Sequence, residues 1–343
     1  MILPPRELFS TTAAGAIALV VERLARATPG ALVIGPPLPR ESFPGVMFQP
    51  VGNGLSILRV IKNCRPGIVE VHQKPRLALL IAKLFPRTRV LLFVHNDPLA
   101  MRGLKSTFER RLMLRHVHQV VCVSNYLKSR YMQGLTGPGP AVLHNPLTLA
   151  ALPPRAAMRK PEILFVGRLV HDKGPDIFIA ACALALPQLP GWSARMIGGD
   201  RFGPDSPETP YVIAMRDQAA KAGVHLTGPL PHQQALAAMA AADIAVVPSR
   251  WAEPFGLTAL EALASGAALI TTRQGGLPEV AGEAALYVPA DDATALADAM
   301  MKLAQNAGLR AGLQTAGLAQ AQLFDTPLIA TALAHLRNAH PAV

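Results

Sequence analysis

The chain has 343 residues, half of them apolar and 16% charged, enough for two cores of ordinary size and too apolar for a disordered chain. Its longest apolar stretches, AAGAIALVV and LALLIA, fall short of the roughly 18 to 20 residues that span a bilayer, and MILPPRELFS has no apolar run of signal-peptide length, so neither a transmembrane helix nor secretion is expected. The net charge of +11 is uneven: residues 1–150 hold 19 Lys and Arg against 6 Asp and Glu, and residues 151–343 hold 14 against 16, so the first half is the one suited to nucleic acid, an acidic membrane or a phosphorylated substrate.

Apolar runs of strand character alternate with amphipathic helical stretches, the pattern of a parallel α/β sheet. In chain order the predicted strands are ALVIG, GIVEVH, RVLLFVH, QVVCVS and AVLHN in the first half, then EILFVG, SARMIGG, VHLTG, IAVVPS and ALITT in the second. The proline-rich, aperiodic segment 144–162 separates the two sets and reads as a linker. Two doubly wound domains with a cleft between them follow. Cys64, Cys122 and Cys182 stand apart from one another and from any His pair, so they read as buried thiols of a reducing cytoplasm, with no zinc site.

Ligands of open α/β sheets sit beyond the carboxyl ends of the strands. The polar residues and glycines there are His72, His95, Ser124, Asn145, Gly167, Gly198 and Ser249. After EILFV the chain turns through Gly167 and Arg168, passes LVHDK and enters a helix at Gly174-Pro175. Free amides at a helix start, with Arg168 and Lys173 nearby, suit a dianionic group such as a pyrophosphate; a surface turn with two solvated cations is the plain alternative.

Downstream, in PSRWAEPFGLTALEALASG, Thr258 and Glu261 fit a capping box, which predicts a short helix ending at Ser265 before Gly266. That does not account for Glu253, eight residues earlier in a loop containing Pro254 and Gly256. Carboxylates beside an anion-binding helix start are better used accepting hydrogen bonds from hydroxyls than facing a phosphate. A ligand carrying both phosphates and hydroxyls is a sugar nucleotide.

EPFGLTALE, with two glutamates separated by seven residues, joined to GRLVHDKG upstream and GGLPE downstream, resembles the retaining GT-B glycosyltransferases of family 4, of the bacterial lipopolysaccharide or exopolysaccharide type. VCVSNYLKSRY and LHNP extend the resemblance over nearly the whole chain. It implies a GT-B fold of two doubly wound Rossmann-like domains facing each other across a cleft: an acceptor-side domain over 1–153, a nucleotide-sugar domain over 154–325, and a C-terminal helix within 326–343 that packs back on the first. It also implies that Arg168 and Lys173 neutralise the departing diphosphate and that Glu253 contacts donor-sugar hydroxyls. Glu261 would hold the ribose, and the amides of Phe255, Gly256 and Leu257, with Gly167 and Thr258 beside them, would meet sugar and phosphates. In the first domain His95 resembles the residue near donor sugar and acceptor. Gly15 resembles the glycine loop that opens the first helix near the donor phosphates, although Ala14 replaces the first of two common glycines.

The implied reaction is metal-independent transfer of a hexosyl or N-acetylhexosaminyl group, with retention, from an NDP-sugar to a glycan or glycolipid hydroxyl. A UDP-sugar is favoured over GDP-mannose. No cofactor is expected. No metal site is expected either: Asp291-Asp292 reads as a helix start, and Asp205 sits in a proline-rich loop. The basic stretches 74–89 and 101–118 interleave Lys and Arg with apolar residues, as an interfacial helix does, or as an ordinary amphipathic helix packed on its sheet does. The first reading gives a peripheral protein on an anionic membrane, at the cytoplasmic face, with a lipid-linked acceptor. A UDP-sugar epimerase on the same architecture is the nearest rival. A nucleic-acid-binding protein is the rival of another class, but 5% aromatics leave it no stacking platform, and no nucleic-acid partner is expected.

Overall fold

The computed structural model describes residues 1–38, 41–155, 159–201 and 206–339; Asp205 and residues 156–158 of the expected linker lie outside them. The chain divides into two compact units, Met1–Leu147 with the segment from Phe324, and Thr148–Leu323.

The first unit opens with helix α1 (Ala16–Arg26), strands β1 (Leu32–Gly35) and β2 (Met47–Pro50), and helix α2 (Gly54–Cys64). Strand β3 (Ile68–His72), helix α3 (Pro75–Leu84), β4 (Arg89–Val94), α4 (Thr107–His116), β5 (Gln119–Cys122), α5 (Asn125–Met132) and the short β6 (Ala141–Val142) follow. β1 and β2 pair in parallel, and β3-β4-β5-β6 form a second parallel sheet. Ile2 joins the two, bridging in parallel to Ile34 on one side and Val71 on the other. Its amide donates to Glu70 O at 2.7 Å, and its carbonyl accepts from His72 N at 3.0 Å. Five of the six residues of β4 are buried, as befits a strand covered on both faces. The helix Thr326–Asn338 covers part of this sheet, with Ile329 and Leu333 in a cluster with Leu91, Phe93 and Val121. Arg337 Nε donates to the buried Glu70 carboxylate at 2.6 Å.

The second unit contains β7 (Lys160–Val166), α6 (Pro175–Ala185), β8 (Ser193–Ile197), α7 (Pro210–Lys221), β9 (Val224–Leu226), α8 (His232–Ala241) and β10 (Ala242–Val247). Helix α9 (Leu257–Ala264), β11 (Ala268–Thr272), α10 (Leu277–Ala281), β12 (Ala285–Val288), α11 (Ala293–Gln305) and α12 (Ala307–Gln322) complete it. The sheet is parallel, in the order β12-β11-β10-β7-β8-β9. The chain starts at its middle, winds outward through β8 and β9, then crosses to β10 and winds the other way. That reversal puts the switch point between β7 and β10, where ligands of doubly wound sheets bind. Ile163, Phe165, Phe178, Met196, Ile244 and Ile270 anchor the core, each such burial contributing about 1.5 to 3 kcal/mol.

Four expectations need correction. Strands β2 and β12 were not among those predicted: MFQP is short, proline-ended and partly exposed, and ALYV is a four-residue edge strand, so neither shows a clear apolar run. β7 begins at Lys160, inside the expected linker 144–162, because the sheet hydrogen bonds extend past the apolar run. Cys64, at the end of α2, is exposed rather than buried. In the stretch 101–118 only Thr107–His116 is helical, under a true capping box of Ser106 and Glu109, and Arg110 is buried against the carbonyls of Leu104, Lys105 and Gln133 instead of facing outward.

Candidate functional site

In the second unit the turn after β7 and the loop after β10 meet at the switch point. Gly167 N donates to Ile197 O at 3.0 Å and Leu169 N to Gly199 O at 2.7 Å, which fixes the start of the turn beside β8. A 3-10 turn, His171–Lys173, leads into α6. Gly174 caps that helix with φ +70°, and a Cβ there would lie 2.4 Å from Pro248 O, so only glycine lets the two loops approach this closely.

Arg250 ties the loops together. Its guanidinium grips Asp176 as a fork, with both bonds at 2.6 Å, donates to His171 O at 2.8 Å and also pairs with Asp291. Its own amide donates to Asp172 O at 2.9 Å. These bonds hold the Asp176 carboxyl below, and the guanidinium above, its ordinary pKa, so both stay charged.

Held in this frame, Lys173 Nζ lies 2.5 Å from Glu253 Oε1 and 5.8 Å above the centre of the Trp251 ring. Ser249 Oγ donates to the same Glu253 oxygen at 2.6 Å. Glu253 is 5% exposed, and its backbone is pinned by a bridge to Gly275 and by Gly276 N donating to Glu253 O at 2.7 Å. The sequence GGLPE therefore acts as a brace under the glutamate loop. Arg168 is half-exposed in the turn that follows β7.

The expected capping box of Thr258 and Glu261 is absent. Gly256, at φ +107°, is the cap, with no side-chain cap bond, so the cap falls two residues earlier and Thr258 lies inside the first turn. A Cβ on Gly256 would come within 2.7 Å of Leu277 Cδ2. Helix α9 is buried from Ala259 to Ala264, and a carboxylate on it must be paired. Glu261 Oε1 meets His232 Nε2 at 2.8 Å, from the first turn of α8. Phe255 is 2% exposed, so its ring is an anchor and only its backbone can face a ligand.

Gly167, Arg168, Lys173, Glu253, Phe255, Gly256, Leu257, Thr258 and Glu261 thus gather around the loops and helix starts next to the carboxyl ends of β7 and β10. Gly15 and His95 belong to the first unit. Gly15 does cap α1, but the group at that helix start is the chain's own Glu7: Ala18 N donates to Glu7 Oε2 at 3.2 Å, and a Cβ on Gly15 would sit 2.6 Å from that oxygen. Burial raises the Glu7 carboxyl pKa. His95, at the end of β4, is 6% exposed, with Nε2 2.9 Å from His72 Nδ1 and its amide donating to Gln73 Oε1 at 2.8 Å. Burial lowers its pKa to about 3 and lowers that of His72 as well, so both rings are neutral at pH 7.

Sequence reasoning missed His232, Arg250 and Asp176 and gave Ser249 no role. The switch-point rule would have found Ser249 and Arg250 together, since they follow β10 directly; nothing local marks His232 as the partner of a glutamate 29 residues on. Among the described residues no cluster of three or more His, Cys, Asp or Glu could hold a metal ion, and no helix is long and apolar enough to cross a membrane.

Comparison with known proteins agrees with this architecture. Residues 17–151 match the model of Glycosyltransferase Family 4, and residues 160–306 that of Glycosyl transferases group 1. The chain is 35% identical over 178 residues to a D-inositol 3-phosphate glycosyltransferase of Corynebacterium aurimucosum, covering 51% of this chain and 42% of that one, so the match spans less than half of that relative. It is 27% identical over 309 residues to the lipopolysaccharide core biosynthesis mannosyltransferase LpsB of Rhizobium meliloti, covering 84% of this chain and 82% of the relative. The structure of Anabaena Alr3699/HepE in complex with UDP and glucose superposes with a TM-score of 0.76 at 20% identity, covering 98% of this chain and 99% of that one, which shows a shared fold.

Proposed function

Because the chain carries a Glycosyltransferase Family 4 domain followed by a Glycosyl transferases group 1 domain on a GT-B fold, we propose that it moves a sugar from a nucleotide sugar to a hydroxyl of a glycan or glycolipid, with retention at the anomeric carbon. The observation that carries this reading is the pair of buried glutamates, Glu253 and Glu261, set on either side of the α9 start, with Lys173 on the first of them. Glu261 accepts from the ribose, Glu253 from the sugar hydroxyls, and the amides of Phe255, Gly256 and Leu257 meet sugar and phosphates.

In this mechanism the bond from the anomeric carbon to the phosphate oxygen breaks, and the bond to the acceptor oxygen forms on the same face. The acceptor proton passes to the departing diphosphate. Arg168, Lys173 and the α9 start stabilise the charge that leaves, the work a metal ion does elsewhere, so no metal is required. Glu253, already bonded to Lys173 and Ser249, orients hydroxyls rather than attacking carbon. His95, neutral at pH 7, positions a hydroxyl by hydrogen bonding and does not act as a cationic acid.

A UDP-sugar is placed ahead of GDP-mannose, on the likeness to a protein solved with UDP and glucose. A lipid-linked acceptor at the cytoplasmic face of a membrane is supported by the basic first half, by exposed Leu80, Leu84 and Phe108 on the basic helices α3 and α4, and by the likeness to a lipopolysaccharide core enzyme. The test is a thermal-shift and hydrolysis screen against UDP-glucose, UDP-galactose, UDP-N-acetylglucosamine and GDP-mannose, with and without EDTA. One donor should stabilise the protein or be slowly hydrolysed, indifferent to EDTA and weakened by Glu261→Ala. No response to any of these donors, or to UDP or GDP, would overturn the reading.

A further inference from the structure

Lys173 is the cation expected to meet the donor diphosphate, yet its ammonium rests on Glu253, the carboxylate expected to meet the sugar. An ammonium is a compact point charge, and it cannot fully serve a buried carboxylate and a diphosphate at once. We propose that Lys173 and Glu253 form an exchange couple: diphosphate binding draws Lys173 off Glu253, and that release frees Glu253 Oε1 to accept from the donor sugar. The inference rests on the reading of the second unit as a nucleotide-sugar site.

The surroundings suit an exchange confined to one side chain. The turn carrying Lys173 is fixed by Arg250 through His171 O, Asp172 O and the Asp176 fork, and Gly174 is packed on Pro248 O, so the backbone does not follow. The Lys173 side chain is 24% exposed, whereas that of Glu253 is 7% exposed, so the cation is the partner free to move. The Trp251 ring, 5.8 Å from Nζ, gives the ammonium an attractive face alongside its path. Ser249 stays. Its hydroxyl, 2.6 Å from Glu253 Oε1, keeps the carboxylate aimed and hydrogen-bonded once the lysine has left.

Two consequences follow. Recognition of the sugar is conditional on the diphosphate, which discriminates against free sugars. After transfer, the return of Lys173 to Glu253 opposes retention of the product nucleotide. Free NDP therefore binds the wild-type chain less tightly than the site allows, because it must displace the ion pair.

Calorimetric titration of the whole chain with UDP, and in parallel with GDP, tests this. Glu253→Gln should bind the nucleotide roughly tenfold tighter than wild type, within the usual range of coupling between linked sites. Glu253→Asp, which keeps the charge but shortens the arm that reaches Lys173, should also tighten binding, and the Lys173→Met background separates this gain from simple relief of charge repulsion, which would persist there. In a Lys173→Met background the Glu253→Gln gain should vanish. Melting curves establish that each variant is folded, and the Asp variant carries the test should the Gln variant not fold. Wild-type affinity in both Glu253 variants, or a gain that persists without Lys173, would overturn the exchange while leaving the nucleotide site intact. If wild type binds neither UDP nor GDP, the nucleotide site itself is wrong and the exchange falls with it.

Discussion

The two units treat polar groups at their strand ends in opposite ways. In the first, His72 and His95 are buried as neutral rings bonded to each other, and Glu7 lies against the α1 amides with its pKa raised. In the second, the groups are paired as ions: Lys173 with Glu253, and Arg250 with Asp176. Burial of the histidine pair is met by removing charge, and burial in the loops of the second unit by matching it. The unit with the large positive charge holds the neutral histidine pair, beside the buried Glu70–Arg337 ion pair, and the unit with nearly balanced charge holds the ionic loops. Net charge therefore describes a surface, and the chemistry has to be sought at the switch point.

The contrast can be broken most severely at Gly174. Gly174→Ala must hold a left-handed backbone and a Cβ against Pro248 O, and should cost about 2 to 4 kcal/mol, read as a lower melting temperature and loss of nucleotide binding. Acid breaks the first unit instead. The pKa of His95 is lowered on folding, so its stabilising contribution is complete above the unfolded value near 6.5 and is lost as pH falls toward about 3. Stability should drop by up to about 1.4 kcal/mol per pH unit across that window from this ring alone. His95→Gln should flatten the drop in pH-dependent denaturant melts. The smallest effect belongs to Glu7. Its pKa is raised, so it stabilises least above that pKa, and Glu7→Gln should be neutral to stabilising by less than about 1 kcal/mol at pH 7, with no such gain in acid.

Much of this was legible in the sequence because it is local. Runs such as RVLLFV and ALITT are buried on both faces and announce themselves as parallel strands, and the Gly-Pro entry to α6 is written in two residues. β2 and β12 were not legible, because their residues are held by a neighbouring strand rather than by their own pattern. The grouping of the candidate site was legible in its glutamates and lysine and not in their partners. His232 reaches Glu261 across 29 residues, and Arg250 reaches Asp176 across 74, distances over which sequence carries no periodicity. The capping box failed for a related reason: Thr258 and Glu261 have the right spacing, but Gly256 and the brace from Gly275-Gly276 start the helix earlier.

Under the proposed function the turn after β7 in the second unit, rather than the α1 start in the first, is expected to hold the diphosphate. The direct measurement is calorimetric binding of UDP and GDP to wild type, to Arg168→Ala/Lys173→Met and to Gly15→Ala. Binding by wild type, a loss of about a hundredfold or more in the double variant with its melting temperature preserved, and little change in Gly15→Ala are expected. Unchanged affinity in the double variant, with loss in Gly15→Ala, would contradict it.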